Sequence, residues 1–363
     1  MVSPFVVNQV CRLSGYRSLV FTYDRIPANG QEVYPGAEVY GPYWGSPLKR
    51  NLNRATNRLL GYPWTLGQAI RQQGVRLLHA HFGPYGLYSL PLAQRFRLPL
   101  VTSFYGYDMT SLAREPAYRS GLDRLFNQGA LFLVEGENAR RTLIDLGCPP
   151  EKITVHPLGI DLERFPFQSR SMDQNGEVKL LMCNRLVEKK GIPFALEALA
   201  QVAFSPPKVT MTILGDGPLR EEITAMIQRL RLEDRVTLAG AVSYSRYREE
   251  LYRHHIMVAP SVTASDGNTE GGAPTVLLEA QASGMPVLAT YHADIPEVVK
   301  DGESGFLVAE RDGDGLAERM RQLMNTPSLW QAMGEAGRRH MVERHNLETQ
   351  NRKLEEIYDD LIP

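Results

Sequence analysis

Residues Ser265–Thr290 read S-D-G-N-T-E-G-G-A-P-T-V-L-L-E-A-Q-A-S-G-M-P-V-L-A-T. The string divides into a glycine-rich loop, a helix and a buried strand. Gly271-Gly272-Ala273-Pro274 ends the loop; proline is favoured at the first helical position because its missing N–H costs nothing there. Val276, Leu277 and Leu278 make the helix mostly buried, and Gly284, with a proline two residues on, closes it. Such a helix start, through Thr275 and Val276, presents free N–H groups and positive dipole charge, and Gly271 and Gly272 let an anion approach closely. Glu270 lies in the loop and Glu279 just over one turn into the helix. Two carboxylates that seek hydroxyls therefore bracket the anion position, a pattern suited to a sugar joined to a nucleoside through phosphates.

Outward from this stretch, apolar strand-like runs alternate with helical patterns, which predicts an α/β fold with parallel sheets. In the second half the expected strands are Val178–Met182, Val209–Leu214, Val236–Leu238, Ile256–Ala259, Val287–Ala289 and Phe306–Val308. In the first half they are Val75–Phe82, ending in a Gly83-Pro84 turn, then Leu100–Phe104, Leu131–Val134 and Ile153–His156. Asp161–Gly176, with Pro166, serines, Gln and Asn, reads as a linker. Two successive Rossmann-like units result, with ligands expected beyond the carboxyl ends of the strands.

Candidate chemistry follows from residues at those strand ends. Arg185 and Lys190, in N-R-L-V-E-K-K-G, pair a planar fork with a point charge and could neutralise a diphosphate. Lys189 reads as part of a solvated basic loop with Glu188. Gly215-Asp216-Gly217-Pro218 is a tight turn whose position also suits a nucleotide contact, with Gly215 the candidate. His79, His81, Tyr105, Tyr107 and Asp108 gather at two strand ends in H-A-H-F-G-P and S-F-Y-G-Y-D. They suit either hydrogen bonding to an acceptor or local turn duty. The His pair lacks a third ligand at metal spacing. Asp312-Gly313-Asp314 reads as a helix start, and Asp359-Asp360 as part of a charged terminal helix, so no metal site is expected.

Size and composition bound the rest. A chain of 363 residues exceeds what one core normally supports, at about 250–300 residues. No apolar run approaches the roughly 20 residues of a membrane span, and Met1–Asp24 lacks the ordered basic and apolar regions of a signal peptide. The three scattered cysteines read as reduced residues of a cytoplasmic protein. The net charge of -1 hides an asymmetry: residues 1–165 carry 18 Lys and Arg against 12 Asp and Glu, the remainder 22 against 29. A basic first half suggests an anionic partner or surface. Its densest part, Tyr43–Trp64, interleaves Trp44, Leu48, Leu59, Leu60, Tyr62 and Trp64 with Lys49, Arg50, Arg54 and Arg58. That reads equally as a helix for an anionic membrane surface and as a solvated helix with an apolar core face. No nucleic-acid recognition motif organises the basic residues.

The strings N-R-L-V-E-K-K-G, L-G-D-G-P-L-R, E-G-G-A-P-T-V-L-L-E-A-Q-A-S-G-M-P-V-L-A-T and I-P-E-V-V-K-D-G-E-S-G-F-L-V resemble the retaining glycosyltransferases of family 4. So does L-G-C-P-P-E-K-I-T-V-H-P-L-G-I-D-L-E-R-F, and the wording of Asp266–Ala282 is similar to that of bacterial exopolysaccharide and colanic-acid-type transferases. The resemblance implies the GT-B fold, two Rossmann-like domains facing a cleft. It implies an acceptor domain over 1–165, a nucleotide-sugar domain over 166–345, and a terminal helix over 346–363 crossing back to the first. It further implies that Arg185 and Lys190 grip the donor diphosphate, Glu279 the ribose and Glu270 the donor sugar. Gly272, Pro274 and the amides of Thr275 and Val276 would hold phosphate. Asp108 is expected among the catalytic residues with Arg185, Lys190 and Glu270, hydrogen-bonding the acceptor or the transferred sugar, with Tyr105 and His81 on the acceptor side. The donor would be a UDP- or GDP-sugar, the acceptor a glycan or lipid-linked glycan, and no metal or other cofactor would be required. A cytoplasmic enzyme, possible at the inner face of the plasma membrane, is the corresponding expectation.

Three features depart from the family pattern. Eight residues separate Glu270 and Glu279 where seven are usual, Tyr105 stands where the family often has His, and the chain opens at what resembles the family's first helix, without its first strand. A sugar-nucleotide epimerase and a non-catalytic sugar-nucleotide-binding protein are the rival readings.

Overall fold

The computed structural model describes residues 4–22, 33–172 and 174–362. Part of the Met1–Asp24 stretch considered above lies outside them. The chain divides into two compact units, one comprising Met1–Asp161 with Leu347–Pro363, the other Leu162–Asn346.

In the first unit, β1 (Leu19–Phe21) and β2 (Glu38–Tyr40) form a small parallel pair. The main sheet runs β3-β4-β5-β6, all parallel: β3 (Leu78–His81), β4 (Leu100–Ser103), β5 (Leu131–Val134) and β6 (Ile153–Val155). β4 is buried along its whole length, as a parallel strand covered on both faces must be. Phe104, Phe126 and Phe132 fill the core behind it in tilted and edge-on contacts. Gly83-Pro84 is not a free-standing turn: the helix Gly83–Phe96 begins there, with the proline in its first turn where the lost N–H has no partner to lose. The terminal helix Leu347–Leu361 belongs to this unit and packs Leu354 and Tyr358 onto Val101 and Leu133.

The second unit carries a six-stranded parallel sheet in the order β12-β11-β10-β7-β8-β9. Its strands are β7 (Glu177–Cys183), β8 (Lys208–Leu214), β9 (Val236–Gly240), β10 (Ile256–Ala259), β11 (Val287–Thr290) and β12 (Gly305–Val308). Chain order grows outward from β7 in one direction and from β10 in the other, and these two strands are hydrogen-bonded neighbours. Their carboxyl ends define the topological switch point, where open α/β sheets bind ligands.

The stretch 162–172 differs from the expected linker. Gln168 N–H donates to Ser283 O at 3.0 Å, and the buried Arg170 guanidinium donates to Gln168 O, Ser283 O and Oγ, Leu251 O and His254 O. Burial lowers Arg170 to about 10, so it keeps its charge at neutral pH, and backbone oxygens supply the compensation a carboxylate would otherwise give. Composition could not show this, because polar loop residues look alike whether free or docked. Among the described residues, no helix is long and apolar enough to cross a membrane.

Candidate functional site

Chemistry collects at the β7–β10 switch point. After β7, the turn Glu188–Lys190 closes on Gly191, which has a φ of +61° and lies so near Pro260 O that a side chain there would collide with it. This approach brings Lys189 and Lys190 against the loop that follows β10. Lys190 Nζ lies 2.8 and 2.9 Å from the two carboxylate oxygens of Glu270, and Lys189 Nζ lies 3.6 Å away. Ser261 Oγ donates to Glu270 Oε1 at 2.8 Å. Burial works to raise the Glu270 pKa, but the Lys190 and Lys189 ammoniums and these hydrogen bonds outweigh it and hold the group at about 2. Lys189 is not the solvated residue that the sequence suggested. It is largely buried and donates to Thr269 O at 2.7 Å and Asn268 Oδ1 at 3.3 Å, bracing the loop from beneath. The exposed Glu188 ties the same loop at its far end through Ser265 N–H and Oγ.

A second brace comes from the ends of β11 and β12. Glu270 N–H donates to His292 Nε2 at 3.0 Å, so that nitrogen is unprotonated and Nδ1 carries the hydrogen, which it gives to Glu310 Oε1 at 2.6 Å. Thr263 N–H holds the other Glu310 oxygen at 2.7 Å. Within this braced segment Gly271 takes a left-handed φ of +78° and its N–H donates to Thr269 Oγ1.

The helix Thr275–Ala282 starts one residue later than the proline rule suggests, with Pro274 as an extended residue before it and no side-chain cap. Thr275 and Val276 are half-buried rather than covered, and Gly272 and Gly271 are buried behind them. The helix ends as anticipated: Gly284 adopts φ +84°, and its N–H returns to Gln281 O. Glu279 is buried on this helix and accepts from Tyr244 Oη at 3.1 Å, while the buried Tyr247 hydroxyl lies against the same carboxyl without a well-formed hydrogen bond. Burial raises Glu279 to about 7 against the lowering effect of the two tyrosines. Arg185, just past β7, is exposed and makes no hydrogen bond or ion pair to any described side chain. Gly215 has a structural reason of its own: at φ +130°, its missing Cβ leaves room for Asn184 O where the two strand-end loops cross.

In the first unit the strand ends carry a different arrangement. Tyr105 Oη and His81 Nδ1 are 2.6 Å apart with stacked rings, and His79 bridges Ser103 Oγ (2.7 Å) and Tyr358 Oη (2.5 Å) on the terminal helix. Burial pushes His81 down to about 4 and raises Tyr105, so both are neutral near pH 7. Asp108 is fully buried, with its oxygens taken by the N–H groups of Gly83, Tyr105 and Gly106 at 2.9–3.1 Å. Each of these donors would cost about 1–3 kcal/mol if left unpaired. The local turn duty weighed for Asp108 is thus what this geometry gives it. Asp312 caps the helix Gly313–Asn325 through Gly315 N–H, and Asp359 accepts from Tyr16. Among the described residues, no cluster of three His, Cys, Asp or Glu is arranged to hold a metal.

Two family models match the chain, a glycosyl transferase 4-like domain over residues 9–159 and glycosyl transferases group 1 over residues 165–340. The chain belongs to this glycosyltransferase family. It is 35% identical over 246 residues to a putative colanic acid biosynthesis glycosyltransferase, WcaL, of Salmonella typhimurium, the match covering 67% of this chain and 60% of that protein. It is 33% identical over 261 residues to the amylovoran biosynthesis glycosyltransferase AmsK of Erwinia amylovora, covering 72% and 64%. The match therefore spans less than two thirds of either relative's length. In fold it resembles Anabaena Alr3699/HepE, solved in complex with UDP, at a TM-score of 0.79 and 19% identity over 98% of this chain and 95% of that one. The fold is GT-B.

Proposed function

We propose that this chain is a retaining, metal-independent glycosyltransferase that moves a sugar from a UDP- or GDP-sugar to a hydroxyl of a glycan or lipid-linked glycan in bacterial surface polysaccharide synthesis. The observation that carries the reading is the switch-point constellation: an uncapped, glycine-approached helix start, an exposed Arg185, the Lys190–Glu270 pair and the buried Glu279. Glu279, beside Tyr244, accepts from the ribose hydroxyls. The Thr275 and Val276 amides with Arg185 and Lys190 take the diphosphate. Glu270, ionised and held by its lysines, accepts from hydroxyls of the donor sugar.

Arg185, Lys190 and the amides stabilise negative charge on the departing nucleoside diphosphate as oxocarbenium character grows at the sugar. The acceptor hydroxyl attacks from the face the phosphate leaves, and a leaving phosphate oxygen takes its proton. No side-chain nucleophile is needed. His81 and Tyr105, both neutral, are suited to hydrogen-bonding the acceptor, while Asp108 acts through the backbone it holds. The enzyme works in the cytoplasm, where nucleotide sugars are made, and at the inner face of the plasma membrane when its acceptor is lipid-linked.

Thermal denaturation against a panel of sugar nucleotides tests the donor reading. Ligand at about 100 times its dissociation constant adds about 2.7 kcal/mol, so one base and one sugar should raise the midpoint by several degrees. A flat response across all UDP- and GDP-sugars overturns the assignment.

A further inference from the structure

The helix Pro47–Leu60 is amphipathic but mounted with its polar side inward. Its one buried residue is Asn53, whose amide donates to Pro42 O and whose oxygen accepts from Thr65 N–H (3.0 Å) and Thr65 Oγ1 (3.1 Å). Thr56 Oγ1 accepts from Trp64 N–H at 2.9 Å, and Ser46 caps the start. Polar contacts therefore fix the helix to its unit. The apolar core face weighed as an alternative for this segment is not what the structure has.

The apolar residues point outward instead. Leu48, Leu52, Ala55 and Leu59 recur at i, i+4, i+7 and i+11, a stripe about 60° wide at 3.6 residues per turn. Leu48 is 80% exposed, Leu59 83% and Leu52 43%, and Trp64 just beyond the helix is 43% exposed. A helix of a water-soluble fold normally buries such a stripe. The charge on the element has one sign: Lys49, Arg50, Arg54 and Arg58, with no carboxylate in the helix. Lys49 and Arg58 fall about 90° to either side of the stripe, where long basic side chains can reach the plane of a surface into which the leucines sink.

We propose that Pro47–Leu60 is a docking element for an anionic lipid bilayer, lying in the headgroup plane with Leu48, Leu52, Ala55 and Leu59 inserted and the flanking Lys49 and Arg58 on lipid phosphates. The charge selects the occupant. A second copy of this chain would set four like charges against four, whereas anionic headgroups complement them. Embedding an apolar stripe flanked by Lys and Arg is how an interfacial helix binds without crossing the membrane. The helix belongs to the first unit and the proposed donor residues to the second, and its occupancy needs no nucleotide sugar; it adds to the proposed function a surface that meets lipid-linked acceptors.

Co-sedimentation of the full chain with vesicles of phosphatidylcholine, alone or mixed with phosphatidylglycerol, tests this without reference to catalysis. The natural chain should bind the mixed vesicles at least about tenfold more tightly than the neutral ones, and lose that preference at high salt. Leu48→Asp with Leu59→Asp should weaken binding at least about tenfold. Lys49→Glu with Arg58→Glu should abolish the preference for the anionic lipid. All four positions are exposed, so both variants should melt with the natural chain, which separates lost docking from lost folding. Absence of binding to the mixed vesicles, or binding by either variant at the natural level, overturns the proposal. So does a chain that dimerises through the leucines and leaves the vesicles in solution.

Discussion

Arg185→Ala is expected to melt within about 2 °C of the natural chain and to lose on the order of 10²–10³ in turnover. The first half follows from exposure: a surface side chain with no described partner contributes within about 0.5 kcal/mol, about 1–2 °C for a unit of this size. The second follows from position, one guanidinium fork at the carboxyl end of β7, whose neighbour β10 leads through its loop into an uncapped helix start. A donor aimed at charge that develops in the transition state is typically worth that factor. Lys190→Ala should behave differently. It removes the nearer of the two ammoniums that hold the buried Glu270 carboxylate, so stability falls together with turnover. Unfolding in urea beside donor turnover for both variants reads the contrast. Near-native turnover in both would end the assignment of the pair to the diphosphate.

Glu279→Gln should gain stability and lose donor affinity. The carboxyl's value of about 7 lies above its ordinary 4.5, burial being the larger cause. Between those values the folded chain keeps a proton that the unfolded chain releases, so stability declines as pH rises from about 4.5 to 7 and then levels off. The penalty reached is on the order of 3 kcal/mol. Glutamine does not ionise and still offers Tyr244 an acceptor. Near pH 8 the variant should therefore unfold at higher urea, by on the order of 1–3 kcal/mol, and the gain should vanish near pH 4.5. Ribose hydroxyls bond a carboxylate more strongly than an amide, so nucleoside diphosphate affinity should fall about tenfold. A variant less stable than the natural chain near pH 8 would mean that Glu279 is not held against ionisation.

The strand–helix alternation was legible because parallel strands buried on both faces leave unbroken apolar runs, and β5 and β10 fall where those runs do. Glu279 and the helix start could be picked out because loop, proline and carboxylate lie within a few residues of one another. The partners could not. Tyr244 reaches Glu279 across 35 residues, Lys190 reaches Glu270 across 80, and His292 with Glu310 comes from two further strand ends. Only the strand order brings them together. Tyr244, Tyr247, Ser261, His292 and Glu310 carry no local signal in the sequence. The helix Pro47–Leu60 shows a different limit: amphipathic periodicity marks two faces without saying which one is buried, and here Asn53 faces inward.

The most direct measurement is sugar transfer by the purified chain, using the donor that stabilises it and a membrane-lipid extract as acceptor, with the anomeric configuration of the product read by NMR. The account predicts a glycosylated acceptor whose new linkage keeps the donor's configuration, formed with chelator present and at the same rate without it. Release of a free sugar isomer with no acceptor present, or binding of the donor with no transfer to any acceptor in the extract, would contradict it.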